Sequence, residues 1–559
     1  MILVADFEVF KYDWVLVAVD PVNSTKNIIC NDRAALMQLY EKYKNWIWVF
    51  FNGRNYDQWI LKGLLCDFDP KKINDWIIAD GKKGWEFSSL LNKIGLIHYD
   101  AMVGFHGLKT LEAFQGKNIY ETGVDFNIDR KLTGAELASV CDYCVNDVHE
   151  TMEILAKQKG SFDTHIALIK EFNLPMSAMG KTQAQLIAII LGASPKTFND
   201  EFNFRLPPTL KLDKYKCVAD WYMNLKGDDI YNQKLVVDVA GVPHTFAFGG
   251  VHGGERYIGE GEFQMWDVSS LYPSLMIKYG LCSRAMKNPE KFKEVYETNL
   301  KMKKEKNPLR PVYKLICNTT YGCMGATFNP LYDKLNQNLV CIFGQLLLLD
   351  LVEKLEGHCE LVQSNTDGIL IKLTGEKVDG IINEWMQRTG LEMECTEYSK
   401  VYQADVNNYV LVKKDGSYKS KGAYVKKLNE LDYDLPIVNK AIVKRLVDGI
   451  PVEKTILGCN DLIEFQKIFK VSSKYMCAWH NGKFLNQKVY RVFASKSPND
   501  TYLGKVKTVG GTIEKFANSP DNCFIENGDI RESKTDWRLD KQWYIDLAKD
   551  RLDKKWGVR

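Results

Sequence analysis

Three apolar runs of strand length in this chain lead straight into acidic residues, and that pattern constrains the fold more than any other feature. Ile2-Leu3-Val4-Ala5 is followed by Asp6-Phe7-Glu8, and Phe263 to Val268 ends at Asp267. Glu360 to Lys372 reads as two apolar strands around Asn365-Thr366-Asp367-Gly368, which is hairpin-turn chemistry with an acid at the tip. Side chains alternate along a strand, so Asp6 and Glu8 lie on one side of theirs. Each strand buries an apolar body and offers a carboxylate at its end.

The neighbouring segments supply the rest of the layers. Trp14 to Val19 reads as a partner strand, and the run Trp46 to Phe51 ends in Asn52-Gly53 and passes through Tyr56-Asp57 into a helical stretch, an α/β signature. From Thr133 to Lys157 the spacing is helical, with Leu137, Val140, Cys144, Val148, Met152 and Leu155 as the inner stripe. Tyr143 and Asp147, four apart, share one face of that helix. The stretch from Ser161 to Leu235 mixes helical patterns and reads as a connector. The Gly-rich segment Phe246 to Gly254 marks close passage of backbone. After Asp267, Ser269 to Ser274 turns sharply into a helix. Helices over 288–306 and 310–323, separated by Asn307-Pro308, form a helical hairpin. Lys314, Asn318 and Tyr321 make one polar face on the second of these.

At 559 residues the chain exceeds what one core supports, so two or more modules are expected. With 45% apolar and 26% charged residues it is not disordered as a whole. The net charge of +3 announces no polyanionic partner, so local clusters matter more than the sum. Lys301, Lys303, Lys304 and Lys306, and Lys413, Lys414, Lys419 and Lys421, read either as phosphate-binding surface or as solvated faces. The fourteen cysteines are scattered, and no secretion signal or apolar run of membrane length stands out. A reducing cytoplasmic setting, no disulfide and no membrane are therefore expected. Cys141 and Cys144 sit inside the helical pattern with no second pair at zinc-ribbon spacing, so they read as helix residues.

Taken singly, Asp6, Glu8, Asp57 and Asp147 are ordinary turn or cap residues. Taken together, they are hard oxygen donors of the kind that two Mg²⁺ ions need beside a phosphodiester. Asp6-x-Glu8, Asn52-x-x-x-Tyr56-Asp57 and Tyr143-x-x-x-Asp147 resemble, in that order, the three motifs of DEDDy 3′→5′ exonucleases. The resemblance implies that Asp6, Glu8, Asp57 and Asp147 hold two metals and that Tyr143 positions the attacking water. Leu108-Lys109-Thr110-Leu111 resembles the single-strand contact region of that group, with Gly107 where Ser or Thr is usual.

In the second half, Asp267-Val-Ser-Ser-Leu-Tyr272-Pro-Ser resembles motif A of family B DNA polymerases, and Lys314-Leu-Ile-Cys-Asn318-Thr-Thr-Tyr321-Gly322 resembles their motif B. Gln363-Ser-Asn365-Thr366-Asp367-Gly368 resembles motif C, whose usual form is Asp-Thr-Asp-Ser. By that resemblance Asp267, Asp367 and the carbonyl of Val268 hold two Mg²⁺ ions, for which Mn²⁺ substitutes, while the first acid of motif C, here Asn365, has a lesser role. Lys314, Asn318 and Tyr321 face the triphosphate and the new base pair, and Lys303 adds a triphosphate contact, with Lys301 or Arg310 as alternatives. Tyr272 lies under the incoming sugar and excludes a 2′-hydroxyl. Phe248-Gly249-Gly250 resembles the linker that tracks template, and Lys400-Val-Tyr402, followed by Lys419-Ser-Lys421-Gly422, resembles the motif that contacts the primer terminus. Gly322 and Thr366 join Gly249, Gly250, Lys400, Tyr402 and Lys421 as expected DNA contacts.

The fold class that follows is α/β and α+β, multidomain, with an RNase H-like exonuclease module and a right-hand polymerase of palm, fingers and thumb. The expected boundaries are exonuclease 1–160, connector 161–245, palm 246–285, fingers hairpin 286–323, palm 324–424, and thumb with C-terminal region 425–559. The short intervals from Tyr272 to Lys314 and from Gly322 to Asp367 leave no room for the insertions of protein-primed phage polymerases. The expected activity is therefore nucleotidyl transfer from dNTPs onto ordinary primer-template DNA, with proofreading, in replication for a bacteriophage or virus. The expected setting is a monomer in the host cell cytoplasm, served by a clamp or a single-strand binding protein. Two rival readings stand beside it: an exonuclease with a degenerate polymerase half, and a non-catalytic DNA-binding replication protein.

Overall fold

A computed structural model describes residues 1–227 and 229–558. The chain forms two compact units of mixed α/β character. The first contains Met1–Thr182, Leu428–Pro436 and Asn460–Asp540; the second contains Gln183–Lys427, Ile437–Cys459 and Lys541–Arg559.

The first unit is built on strands β1 (Ile2–Val9), β2 (Trp14–Asp20), β3 (Thr25–Cys30), β4 (Ile47–Phe50) and β5 (His98–Asp100). Their order is β3-β2-β1-β4-β5, with β2 antiparallel to both neighbours and the other pairings parallel. β1 does not stop at its carboxylates. It runs on because Phe7 and Val9 stay buried, so Asp6 and Glu8 sit within the strand. Helix α1 (Asp57–Leu65) follows β4, and α2 (Leu108–Phe114) follows β5. The long α3 (Gly134–Lys157) starts at a capping box in which the Thr133 hydroxyl accepts from the Glu136 N–H at 3.3 Å and the Glu136 carboxylate accepts from the Thr133 N–H at 2.8 Å. It buries Val140, Cys144, Val148 and Leu155 and packs on β1 and β2.

The second unit centres on an antiparallel sheet of nine strands: β6 (Leu235–Val239), β7 (Val242–Phe246), β8 (His252–Gly254), β9 (Tyr257–Val268), β10 (Cys359–Asn365), β11 (Gly368–Leu373), β12 (Met393–Asp405), β13 (Asn408–Val412) and β14 (Tyr418–Lys421). Their order is β14-β13-β12-β9-β11-β10-β8-β7-β6. β6 and β7 lie in the stretch expected to be a connector, so that stretch is divided: its first part, to Thr182, belongs to the first unit, and its last strands extend this sheet. Between β9 and β10 come helices α4 (Leu271–Lys278), α5 (Glu290–Glu305), α6 (Arg310–Gly325) and α7 (Lys334–Leu355). α5 and α6 pair as a hairpin. α7 is long and apolar enough to cross a membrane, a run the sequence reading passed over, and the second unit buries 94% of its most apolar window. Each fully buried Leu or Ile along it contributes roughly 1.5–3 kcal/mol, so its apolarity is spent on the core.

The late strands β15 (Lys467–Lys470), β16 (Tyr475–His480), β17 (Lys483–Leu485), β18 (Val489–Ala494), β19 (Gly504–Lys507), β20 (Ile513–Lys515) and β21 (Cys523–Ile525) make two small sheets in the first unit. The region 425–559, expected as one piece, is thus split between the units. The physical cause lies at Arg491, which is wholly buried: its guanidinium donates to Gln466 Oε1 and to the carbonyls of Ala113, Lys117, Glu526 and Gly528. A buried cation satisfied by that many acceptors locks these strands to α2 and the loop after it.

Candidate active sites

In the first unit β1 presents Asp6 and Glu8, α1 begins with Asp57, and α3 presents Tyr143 and Asp147. Ligand atoms of Asp6, Glu8 and Cys144 all lie within 4.8 Å of one another. The Asp57 carboxylate accepts the Phe7 N–H at 3.2 Å, which fixes it against β1 between the two strand acids. Asp147 is ion-paired with Lys109, whose ammonium also reaches Glu112 at 3.0 Å and lies 4.6 Å from the centre of the Tyr143 ring. Asn146 donates to Glu112 at 2.9 Å. All five residues expected in this site are therefore together, and Lys109 and Glu112 join them.

Burial and crowding set the electrostatics. Asp57 is 2% exposed, Asp147 6% and Glu8 8%. Burial, then repulsion from Asp147, pushes the Asp6 carboxyl up to about 8. Burial, then Asp6, raises Glu8 and Asp57 well above the usual carboxylate range, and burial raises Asp147 against the opposing pull of Lys109. One lysine cannot compensate four acids in a low-dielectric setting. Oxygen donors this close, and this reluctant to ionise alone, fit divalent cations of the Mg²⁺ type.

In the second unit two carboxylates meet at the joint of adjacent strands. Asp267 on β9 stands opposite Gly368 on β11, and the Val268 N–H donates to the Asp367 carbonyl at 2.7 Å. A side chain at Gly368 would come within 2.3 Å of Asp267 Oδ1, so the glycine lets the hairpin tip approach the acid. Thr366 adopts φ 50°, with its N–H donated to Val251 at 2.9 Å, and Ser270 adopts φ 53° where β9 bends into α4. Burial comes first in raising both carboxyls above the usual range; Asp367 and Glu394 add to it at Asp267, while Lys419 opposes it at both. Here too the donors are hard oxygens, suited to Mg²⁺ or Mn²⁺.

The other expected residues are distributed unevenly. The Tyr272 and Tyr321 rings contact each other with centroids 4.2 Å apart, and the Tyr272 hydroxyl donates to the Gly249 carbonyl at 3.2 Å. Gly250 abuts Thr366, since a side chain there would meet Thr366 Oγ1 at 2.5 Å. Lys314, Asn318 and Gly322 lie exposed along α6. Lys303 pairs with Glu394, which also accepts from Ser269 Oγ at 2.8 Å and feels Arg310, whereas Lys301 turns to Glu305. Lys400 pairs with Glu260 at 2.8 Å, toward the far end of β9, with Tyr402 half-buried beside it, so neither is brought to Asp267. The cation that does come close is Lys419, 3.9 Å from Asp267, and Lys421 acts on Asp367 by charge alone. Glu394 went unnoticed in the sequence because only its register opposite Asp267 gives it meaning.

With that geometry in place, comparison with known proteins finds similarity to archaeal DNA polymerases over part of the chain. The chain is 27% identical over 220 residues to DNA polymerase 1 of Sulfurisphaera ohwakuensis, and 26% identical over 226 residues to DNA polymerase 1 of Saccharolobus solfataricus. Each match covers 37% of this chain and 24% of the relative, so the chain spans about a quarter of the length of the curated relatives it matches. A solved structure titled as the family B DNA polymerase from the hyperthermophilic archaeon Pyrobaculum calidifontis aligns with all of this chain and 78% of its own, at 14% identity and a TM-score of 0.43. No protein-family model matches the chain.

Proposed function

We propose that this chain is a family B, template-directed DNA polymerase that adds dNTPs to a primer 3′ end, with a 3′→5′ proofreading exonuclease in its first unit. The observation that carries the polymerase reading is the pairing of β9 with β11, which puts Asp267 beside Asp367 in the second unit. The mixed five-stranded sheet supports an RNase H-like reading of the first unit, and Asp6 and Glu8 on β1, with Asp57 and Asp147 close to them, support hydrolysis there. The nine-stranded sheet serves as palm and the α5–α6 hairpin as fingers.

When bound, Mg²⁺ ions supply activation of the attacking hydroxyl or water and neutralisation of phosphate charge. The chain's own residues do the positioning. Asp267 and Asp367 hold that charge at the primer end, and Lys314 and Lys303 approach the triphosphate from the α5–α6 hairpin. Tyr272, braced on Tyr321 and on the Gly249 carbonyl, occupies the space a 2′-hydroxyl would need. In the first unit the Tyr143 hydroxyl, bonded to Asp147, orients the water. The partners are primer-template DNA and dNTPs, with a clamp or single-strand binding protein for processivity, and the setting is replication of a phage or virus by a monomeric enzyme in the host cytoplasm.

A labelled primer on a longer template, in Mg²⁺, tests the reading. Extension with dNTPs and shortening without them are expected. Shortening alone reduces the protein to an exonuclease, and neither change reduces it to a DNA-binding protein.

A further inference from the structure

A cleft of about 1060 Å³ opens beside the acidic site of the first unit. It is lined by Asp147, Tyr143 and the start of α2 from Gly107, and, from the late part of the chain, by Lys470, Met476 and residues 486–489. Most charge along it is already matched. The Glu121 carboxylate accepts the N–H groups of Lys488 and Val489 at 2.9 and 3.0 Å, the Lys488 ammonium donates to the Met476 carbonyl at 3.1 Å, and Lys109 is held by Asp147 and Glu112.

Among the lysines that line the cleft, Lys470 is the exception. It ends β15, it is exposed, and among the described residues no hydrogen bond or ion pair engages its ammonium. Its Nζ lies 3.4 Å from the point where a side chain on Gly107 would begin, so it fills the wall space this glycine leaves open. It also borders a second cavity, of about 320 Å³, together with Phe105, whose ring is fully exposed.

A polyanion approaching a cluster of carboxylates is repelled unless a cation stands on its path. A free ammonium, with three donors and an exposed aromatic ring nearby, matches an unpaired nucleic-acid strand: phosphate to the lysine, base to the ring. We propose that Lys470 binds a backbone phosphate of the single-stranded 3′ end entering this cleft, the contact that Gly107 has no side chain to make. The proposal rests on the exonuclease reading of the acidic site.

The test compares a single-stranded oligonucleotide with thymidine 5′-p-nitrophenyl phosphate, a small diester with no upstream phosphate. Lys470→Gln should raise KM for the oligonucleotide about tenfold, the loss of one charged phosphate contact, with kcat within about twofold, and should lower the slope of log KM on log salt by about one. Hydrolysis of the small diester should be unchanged, and Lys470→Arg should keep the wild-type KM. Gly107→Ser in the Lys470→Gln background should recover part of the KM by returning a donor to that wall, with Gly107→Ser alone as the control for helix capping. An unchanged oligonucleotide KM overturns the proposal, and so does an equal loss on both substrates, which would place Lys470 in support of the acids. Wild-type protein that cleaves neither substrate overturns the exonuclease reading itself.

Discussion

At position 365 the side-chain amide donates to the Val406 carbonyl at 2.7 Å, while its oxygen accepts from Thr366 Oγ1 at 3.3 Å. A carboxylate there has no proton to give Val406 and would set oxygen against oxygen. Asn365 is therefore fitted to its place in the hairpin. Asn365→Asp should leave the extension rate within about threefold and lower stability by about 1 kcal/mol, the cost of an unmatched, partly buried acceptor. Extension kinetics with thermal unfolding checks this, and incorporation that appears only in the Asp variant would contradict it. Tyr272 is the second informative residue. Tyr272→Ala removes the ring that rests on Tyr321 and should raise ribonucleotide incorporation relative to dNTPs by tenfold or more in a primer-extension assay with single nucleotides; unchanged sugar discrimination would count against its assigned place.

Among the elements, β5 carries a pH dependence that needs no catalysis to observe. The His98 ring is 6% exposed and fills the space a side chain on Gly180 would need, and its Nε2 has no hydrogen-bond partner among the described residues. Burial first, then Lys62, pulls its pKa down to about 4. The folded protein thus holds this base neutral while the unfolded chain protonates near 6.5. The stability from neutral His98 is complete above pH 6.5 and is lost as pH falls toward 4, amounting to roughly 2–3 kcal/mol for a group this buried. His98→Phe should flatten the fall in unfolding temperature between pH 6.5 and 4.5 compared with wild type; parallel curves would refute it.

Elements with strong local signals were legible in the sequence, as α3 with its capping Thr133 and apolar stripe shows, and as the α5–α6 break at Asn307-Pro308 and the hairpin at Thr366 also show. Strand register was not. Nothing local says that Glu394 will stand opposite Asp267, or that Lys419 rather than Lys400 will reach it. Nor do short strands such as β15 and β21 reveal that β18 lies between them, or that Gln466 and Arg491 bond this sheet to α2, hundreds of positions earlier in the chain.

At the scale of the whole molecule, the acids divide cleanly. Asp6, Glu8, Asp57 and Asp147 lie in the first unit, and Asp267 and Asp367 in the second. On the proposed reading these two sets of carboxylates serve two activities that should separate by mutation and should both be lost when a chelator removes divalent metal. The most direct test follows one labelled primer-template in Mg²⁺ with three proteins. The Asp6→Ala, Glu8→Ala double variant is expected to extend the primer with dNTPs and to leave it intact without them, with degradation at least about a hundredfold below wild type. Asp367→Ala is expected to shorten the primer under both conditions and never extend it. If either substitution, in a protein that still folds, removes both extension and degradation, the two-site arrangement is wrong.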